Sequence, residues 1–228
     1  MEMQFIYADN AATTKMSDVA VKAMLPYLQE TYANASSVHI LGQRSAAALF
    51  SARQQLAQLL HCAPKELFFT SGGSEADNQA LISAAAIGKQ QGKRHIISTA
   101  MEHHAILHTL EALEEQGFTV TLLRPQKDGI VSAAQVAAAL TDETCLVSVM
   151  YANNETGAIQ PIKEIGALCR QHGVLFHTDA VQAAGHVDID VQRDNIDMLS
   201  LSAHKFHGPK GVGLLFAKSS IQLTSLIR

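Results

Sequence analysis

The sequence is short of cysteine and proline, has no cluster of basic residues and contains no long apolar run. Each scarcity removes a class of protein. Its three cysteines, Cys62, Cys145 and Cys169, are odd in number and widely spaced, which fits neither a disulfide framework nor a Cys-x-x-Cys metal site. They are expected to be small buried apolar residues. Only 5 of the 228 residues are proline, and 17% are charged against 47% hydrophobic. The chain is therefore globular rather than disordered, with enough residues to bury a sizeable core. The 17 Lys and Arg are scattered and the net charge is -4, so there is no general attraction to nucleic acid or to an anionic membrane. Residues 1–6 lack a basic segment leading into an apolar core, and no later run reaches bilayer length. The expectation is a cytoplasmic protein with no membrane and no nucleic acid as partner.

What is present is an alternation of helical and strand-like segments, which predicts an α/β fold with a mainly parallel sheet flanked by helices. Helices are expected from the Ser17-Asp18 cap towards residue 29 and over residues 46–60, 74–86, 105–116, 133–140 and 162–172, with Gly117 and Gly173 as stops. Strands are expected at residues 67–70, 95–98, 119–123, 145–150, 174–177 and 198–202, with a last apolar run at 212–216. No repeat or linker interrupts the pattern, so residues 1–228 read as one domain.

Ligands of open sheets gather beyond the C-terminal strand ends, and the polar residues that follow the apolar runs are the candidates. Lys205 sits in a Gly- and Pro-rich turn between two apolar runs, beside His204. Burial there would depress its pKa and make it an amine nucleophile for an aldehyde cofactor. Ser71-Gly72-Gly73-Ser74 joins a strand to a helix and offers free N–H groups to one small phosphate; taken alone, it reads first as an ordinary turn in which Ser74 caps the helix. Asp179 ends an apolar run, where a carboxylate needs a cation such as a protonated pyridine nitrogen, or else caps a helix starting at Ala180. Gln182 would then point to the same place. His103 or His104 could lie on a cofactor ring or move a proton, or merely cap the helix. His104 and His108 lack the intervening Glu of a His-Glu-x-x-His zinc motif, and no metal is expected. Asn153-Asn154-Glu155-Thr156-Gly157 supplies amides for a ring hydroxyl or a carboxylate, or forms a plain polar turn.

Several motifs in order carry a resemblance. They are Tyr7-Ala8-Asp9-Asn10-Ala11-Ala12-Thr13-Thr14, Phe69-Thr70-Ser71-Gly72-Gly73-Ser74-Glu75-Ala76-Asp77-Asn78, Glu102-His103, Asn153 to Gly157, His177-Thr178-Asp179-Ala180-Val181-Gln182, and Ser202-Ala203-His204-Lys205 through Gly213. The set resembles pyridoxal-phosphate enzymes of the class V aminotransferase group, and within it the cysteine desulfurases of the NifS and IscS type. The resemblance implies the large domain of a fold type I transferase, with an N-terminal arm of about residues 1–15 and pyridoxal 5'-phosphate as cofactor. Lys205 would carry the cofactor, Asp179 would face its pyridine nitrogen, and His103 rather than His104 would stack on the ring. Gly73, Ser74, Ser202 and His204 would hold the phosphate, and Asn154 and Gln182 would address the ring hydroxyl and the substrate side.

By the same resemblance the activity is conversion of L-cysteine to L-alanine with sulfur passed on as a persulfide to an acceptor protein, in a homodimer. Iron-sulfur cluster assembly and tRNA thiolation are the destinations it suggests. The family's nucleophilic cysteine, its smaller C-terminal domain and a phosphate contact from the partner subunit all lie beyond the lysine region, past Arg228 in this numbering. None of the three cysteines here is expected to replace that nucleophile, so a cofactor domain without the small domain is expected. Selenocysteine lyase or another class V enzyme shares the cofactor residues, and a non-catalytic remnant that dimerises or binds a partner is the reading from another class.

Overall fold

The computed structural model describes residues 6–226. Residues 1–5, which hold most of the segment read for an export signal and the start of the expected arm, lie outside the described residues. A seven-stranded sheet organises what is described. Its strands are β1 (Leu67–Thr70), β2 (His95–Thr99), β3 (Thr119–Leu123), β4 (Thr144–Ser148), β5 (Leu175–Asp179), β6 (Met198–Ser202) and β7 (Gly213–Ala217), in the spatial order β1-β7-β6-β5-β4-β2-β3. From β3 to β6 all pairings are parallel, and β7 is antiparallel to both β6 and β1. Two reversals restore direction, so β1 runs the same way as β6. The turn after β1 and the turn after β6 therefore leave the sheet at the same end.

Side-chain alternation, the period of two of any strand, divides the core between the two faces. Ile97, Val147, Phe176, Leu199 and Phe216 join one cluster with Ile162, Ile165 and Cys169 of α6 (Ile162–His172). Ile96, Leu146, Met198 and Leu215 join the other, against α3 (Gly73–Gln90) and α4 (His104–Glu115). Ala76, Ala80 and Ala84 of α3 are fully buried at helical i, i+4 spacing, and their small side chains let this helix lie close across the middle strands. Among the described residues, no helix is long and apolar enough to cross a membrane.

The remaining helices are α1 (Asp18–Gln29), α2 (Ile40–Leu60) and α5 (Ala133–Ala139). Ser17 caps α1 by accepting the Ala20 N–H at 3.1 Å. The sequence pattern starts α2 at residue 46, but the helix begins six residues earlier. His39 Nδ1 accepts the Gly42 N–H at 3.3 Å and so serves as its cap. β5 also reaches two residues beyond the expected 177 and includes Asp179 itself.

The helix that the alternative reading of Asp179 as a cap would require is absent. After Asp179 the chain makes turns instead of a helix starting at Ala180: the Ala180 carbonyl accepts from both Ala183 and Ala184 at 3.0 Å. Gly185, at φ +79, then ends that turn in the left-handed region. Gly117 at φ +86 and Gly173 at φ +63 stop their helices as their positions predict.

Gly213 is the tightest point between β7 and the turn after β1. A Cβ there would lie 2.5–2.6 Å from the backbone of Gly72, so nothing larger than hydrogen fits without moving one strand. Gly213→Ala is expected to lower the unfolding free energy by roughly 1–3 kcal/mol, the usual cost of overpacking, measured by urea denaturation.

Candidate active site

The carboxyl ends of β1, β2, β4, β5 and β6 share one edge of the sheet, and a cavity of about 520 Å³ opens there. After β6 the chain turns through a short 3-10 helix, Ala203–Lys205, closed by Phe206 and Gly208 N–H groups on the Ala203 carbonyl at 3.1 and 2.8 Å. That turn presents His204 and Lys205 to the cavity. The segment before α1 is laced to it. Thr14 Oγ1 donates to the His204 carbonyl at 2.8 Å and accepts the His207 N–H at 2.8 Å, and Thr13 Oγ1 pairs with His204 Nδ1 at 3.0 Å. Further along, the Ala11 carbonyl accepts from Lys205 Nζ and, at 2.8 Å, from Gln182 Nε2.

The strand-to-helix turn after β1 is held by Glu75, whose Oε2 accepts the Ser71 N–H at 2.7 Å and the Ser71 hydroxyl at 2.5 Å. Gly73 and Ser74 follow at the start of α3, where first-turn N–H groups lack intrahelical acceptors, and both line the cavity with Ser202. A Cβ on Gly73 would strike Val181 Cγ2 at 2.7 Å. His103 does two things. Its Nδ1 accepts the Ala105 N–H at 3.1 Å and caps α4, and the residue also borders the cavity. His104 instead stacks on His108, ring centroids 5.4 Å apart, away from that cavity. Among the described residues, no group of three or more His, Cys, Asp or Glu side chains is arranged to hold a metal. Asn154 lines the cavity, while Asn153 shapes the loop: its Oδ1 accepts from Glu155 N, Thr156 N and Thr156 Oγ1 at 2.9–3.0 Å. The nine residues to which the resemblance gives a cofactor role, Gly73, Ser74, His103, Asn154, Asp179, Gln182, Ser202, His204 and Lys205, thus border one cavity.

Its electrostatics are set by buried carboxylates. Asp179 is 6% exposed; burial pushes it up to about 6 against the pull of the Val181 N–H, accepted at 2.9 Å, and of Lys205. Glu102, equally buried, is pushed up to about 8 although its Oε1 accepts from Thr99 Oγ1 at 2.6 Å and Met150 N at 2.9 Å. Burial lowers Lys205, with Asp179 and Asp9 opposing. His103 and His204 are lowered too, first by burial and then by neighbouring positive charge from His104 and Lys205 in one case and Lys205 and Lys210 in the other. The arrangement can hold an anion at the α3 N-terminus, a cation at Asp179, and an amine poised between them.

The family model for Aminotransferase class-V matches residues 6–225. The chain belongs to the class-V aminotransferase family. It is 51% identical over 222 residues to a cysteine desulfurase IscS of Clostridium botulinum (strain Kyoto / Type A2), covering 97% of this chain and 56% of that one. It is 48% identical over 226 residues to a cysteine desulfurase IscS of Methanosarcina thermophila, covering 99% and 56%. Among solved structures, SspA in complex with cysteine superposes with a TM-score of 0.94 at 40% identity, over 98% of this chain and 65% of that one. A NifS-like protein gives 0.95 at 35% identity, over 99% and 62%. This class-V chain therefore spans 56% of the length of these curated relatives, and its mainly parallel sheet is that of the NifS-like large domain.

Two features of the class-V site escaped the sequence reading. Asp77 enters that reading only as a member of the Phe69 to Asn78 motif, without a role, yet it is 1% exposed and lines the cavity. The signal was its register, since Gly73, Asp77, Ala80 and Ala84 form one i, i+3/i+4 stripe whose other members are small. Lys210 was read only as part of a turn. It borders a second opening of about 370 Å³ that shares Gly73, Ser74, Ser202 and His204 with the first.

Glu102 generates a test of these electrostatics. In the folded chain it keeps its proton up to about pH 8, whereas its ordinary value is 4.5. The folded state then binds more protons than the unfolded one, so this group makes stability fall as pH rises between those values. Glu102→Gln removes that fall. The variant is expected to be no more stable than wild type at pH 5 and increasingly more stable up to pH 8, measured by urea unfolding at each pH.

Proposed function

We propose that the chain is the cofactor-binding domain of a cysteine desulfurase, with pyridoxal 5'-phosphate carried by Lys205 and L-cysteine as substrate. The observation that carries this reading is the convergence on one cavity of a half-buried lysine, a buried carboxylate and a helix N-terminus from three separate strand ends. The relatives add weight, being named cysteine desulfurases.

The residues fit the group. Asp179 is a buried carboxylate facing a cavity, and a ring nitrogen that carries a proton would give it a charge-assisted partner. Gly73 would let backbone N–H groups approach the phosphate, with Ser74, Ser202 and His204 as further donors. His103 would cover the ring face, and Asn154 and Gln182 would address the ring hydroxyl and the substrate. Bound pyridoxal phosphate supplies an aldehyde for the substrate amine and a ring that accepts electrons from the Cα–H bond. Lys205 takes the Cα proton, and its lowered pKa raises the fraction of free amine available for that task. Asp179 keeps its charge towards the ring nitrogen while this happens.

Sulfur transfer needs a thiolate, and the described cysteines are poorly placed. None lines the cavity, and burial pushes Cys62 and Cys169 to about 12 and Cys145 to about 11. None of them is proposed as the sulfur acceptor. A homodimer and an acceptor protein in the cytoplasm complete the proposal. Wide exposure of Leu28, Val38, Ile40, Phe50 and Leu59 on and between α1 and α2 supports a partner subunit.

Addition of pyridoxal phosphate to the 228-residue chain is expected to produce a visible absorption band that Lys205→Ala abolishes. Asp179→Asn should weaken cofactor affinity by about tenfold to a hundredfold, the worth of a charged hydrogen bond. A band unchanged in Lys205→Ala sinks the assignment. With L-cysteine the chain alone is expected to release little or no sulfide, read by a colorimetric sulfide assay; vigorous release would hand the acceptor role to one of the three cysteines.

A further inference from the structure

Asp77 and Asp179 line the buried end of the cavity and Glu102 lies behind them, near enough for the charges to be felt; each of the three is no more than 6% exposed. Lys205 is the ammonium among the cavity-lining residues. Three buried negative charges beside one positive charge would leave charge without compensation in a low dielectric, so some of these groups must hold protons.

Which ones do so follows from their partners. Asp179 accepts the Val181 N–H and feels the Lys205 charge, so it is the member best equipped to be ionised. Asp77 Oδ1 is buried without any hydrogen-bond partner. The nearest basic group is His177 Nε2 at 3.7 Å. That imidazole is fully buried on β5 and already spoken for, since Nδ1 meets Ser148 Oγ at 2.9 Å and Nε2 meets Ser200 Oγ at 3.0 Å. Its two hydroxyl partners carry no charge, so an imidazolium there would have only Asp77, at 3.7 Å and outside hydrogen-bond distance, to stabilise it.

We propose that Asp77 is a positioning residue held as a neutral, proton-bearing carboxyl against the Ser148–His177–Ser200 chain, so that Asp179 alone carries the negative charge at that end of the cavity. The groups facing Asp77 are Asp179 and His177 from β5, Ser200 from β6, and Glu102 from the turn between β2 and α4. Burial first, and then the Asp179 charge, push Asp77 well up against the smaller pull of the Ser200 hydroxyl, while burial lowers His177 to about 3, so an ion pair between the two is disfavoured from both sides. For the bound cofactor the consequence is a ring nitrogen that meets one ionised carboxylate. A second ionised group beside it would over-stabilise the protonated ring and repel Asp179. This inference rests on the cofactor reading only for that last consequence, not for the state of Asp77.

The test has two arms. In infrared difference spectra of the cofactor-free chain at pH 7, wild type minus Asp77→Asn, the protonated Glu102 band common to both cancels and a further protonated-carboxyl carbonyl stretch should remain from wild type; its absence, or an imidazolium signal from His177, overturns the proposal. With pyridoxal phosphate added, Asp77→Asn, which keeps a neutral hydrogen-bonding group, should bind within about threefold of wild type. Asp77→Leu, which keeps the branching at Cγ but no polar atom, should bind at least about tenfold more weakly. Binding by Asp77→Asn as weak as by Asp179→Asn, or by Asp77→Leu as strong as by wild type, overturns it. Should Asp77→Leu fail to fold by circular dichroism, the infrared comparison and the Asn variant decide. A wild-type chain with no visible band would sink the cofactor reading while the infrared arm still settles whether Asp77 holds its proton.

Discussion

The antiparallel insertion of β7 between β6 and β1 is the constraint on which the cavity depends. Two reversals of direction make β1 point the same way as β6, and this alone brings the Ser71 to Ser74 turn beside Ser202 and Lys205, which are more than a hundred residues away in the chain. The close pass of Gly213 over Gly72 fixes the spacing. Without that strand the helix N-terminus of α3 and the lysine turn would open on different parts of the molecule, and an anion held by one could not be continuous with an amine held by the other.

A second constraint is dielectric. Central strands of a parallel sheet are covered on both faces, so polar residues at their carboxyl ends are held where water is scarce. Charge there is costly and its sign matters. Burial raises Asp179 and Glu102, lowers Lys205 and keeps His177 neutral, all from one cause. The site is thereby primed for a ligand carrying a positive ring and a negative tail. The segment before α1 closes part of the opening through its hydrogen bonds to the lysine turn.

The periphery is built differently. α1 buries none of its residues, and α2 buries four of twenty-one. Apolar side chains such as Val38, at 90% exposure, lie on or between these helices. The chain spans 56% of the length of its curated relatives, and burial is fullest in the inner strands β2, β4, β5, β6 and β7, whereas the edge strands leave Phe68, Phe69 and Leu122 exposed.

Most of the secondary structure was legible because the signals are local. Short apolar runs set the strands, Ser17 and Gly173 marked helix ends, and the polar residues that follow apolar runs named the side chains that surround the cavity. Where local signals failed, a longer-range cause prevailed. His39 capped α2 earlier than composition suggested, and Gly185 with paired turns replaced the helix after Asp179. By itself the sequence determined which residues sit at strand ends, because period-two burial and turn chemistry are properties of neighbours in the chain. Only the tertiary structure decided that Asp77 joins Asp179 and Glu102 in one buried enclosure, because proximity across α3, β5 and the β2–α4 turn, and the desolvation it brings, depend on packing that no single stretch of sequence encodes.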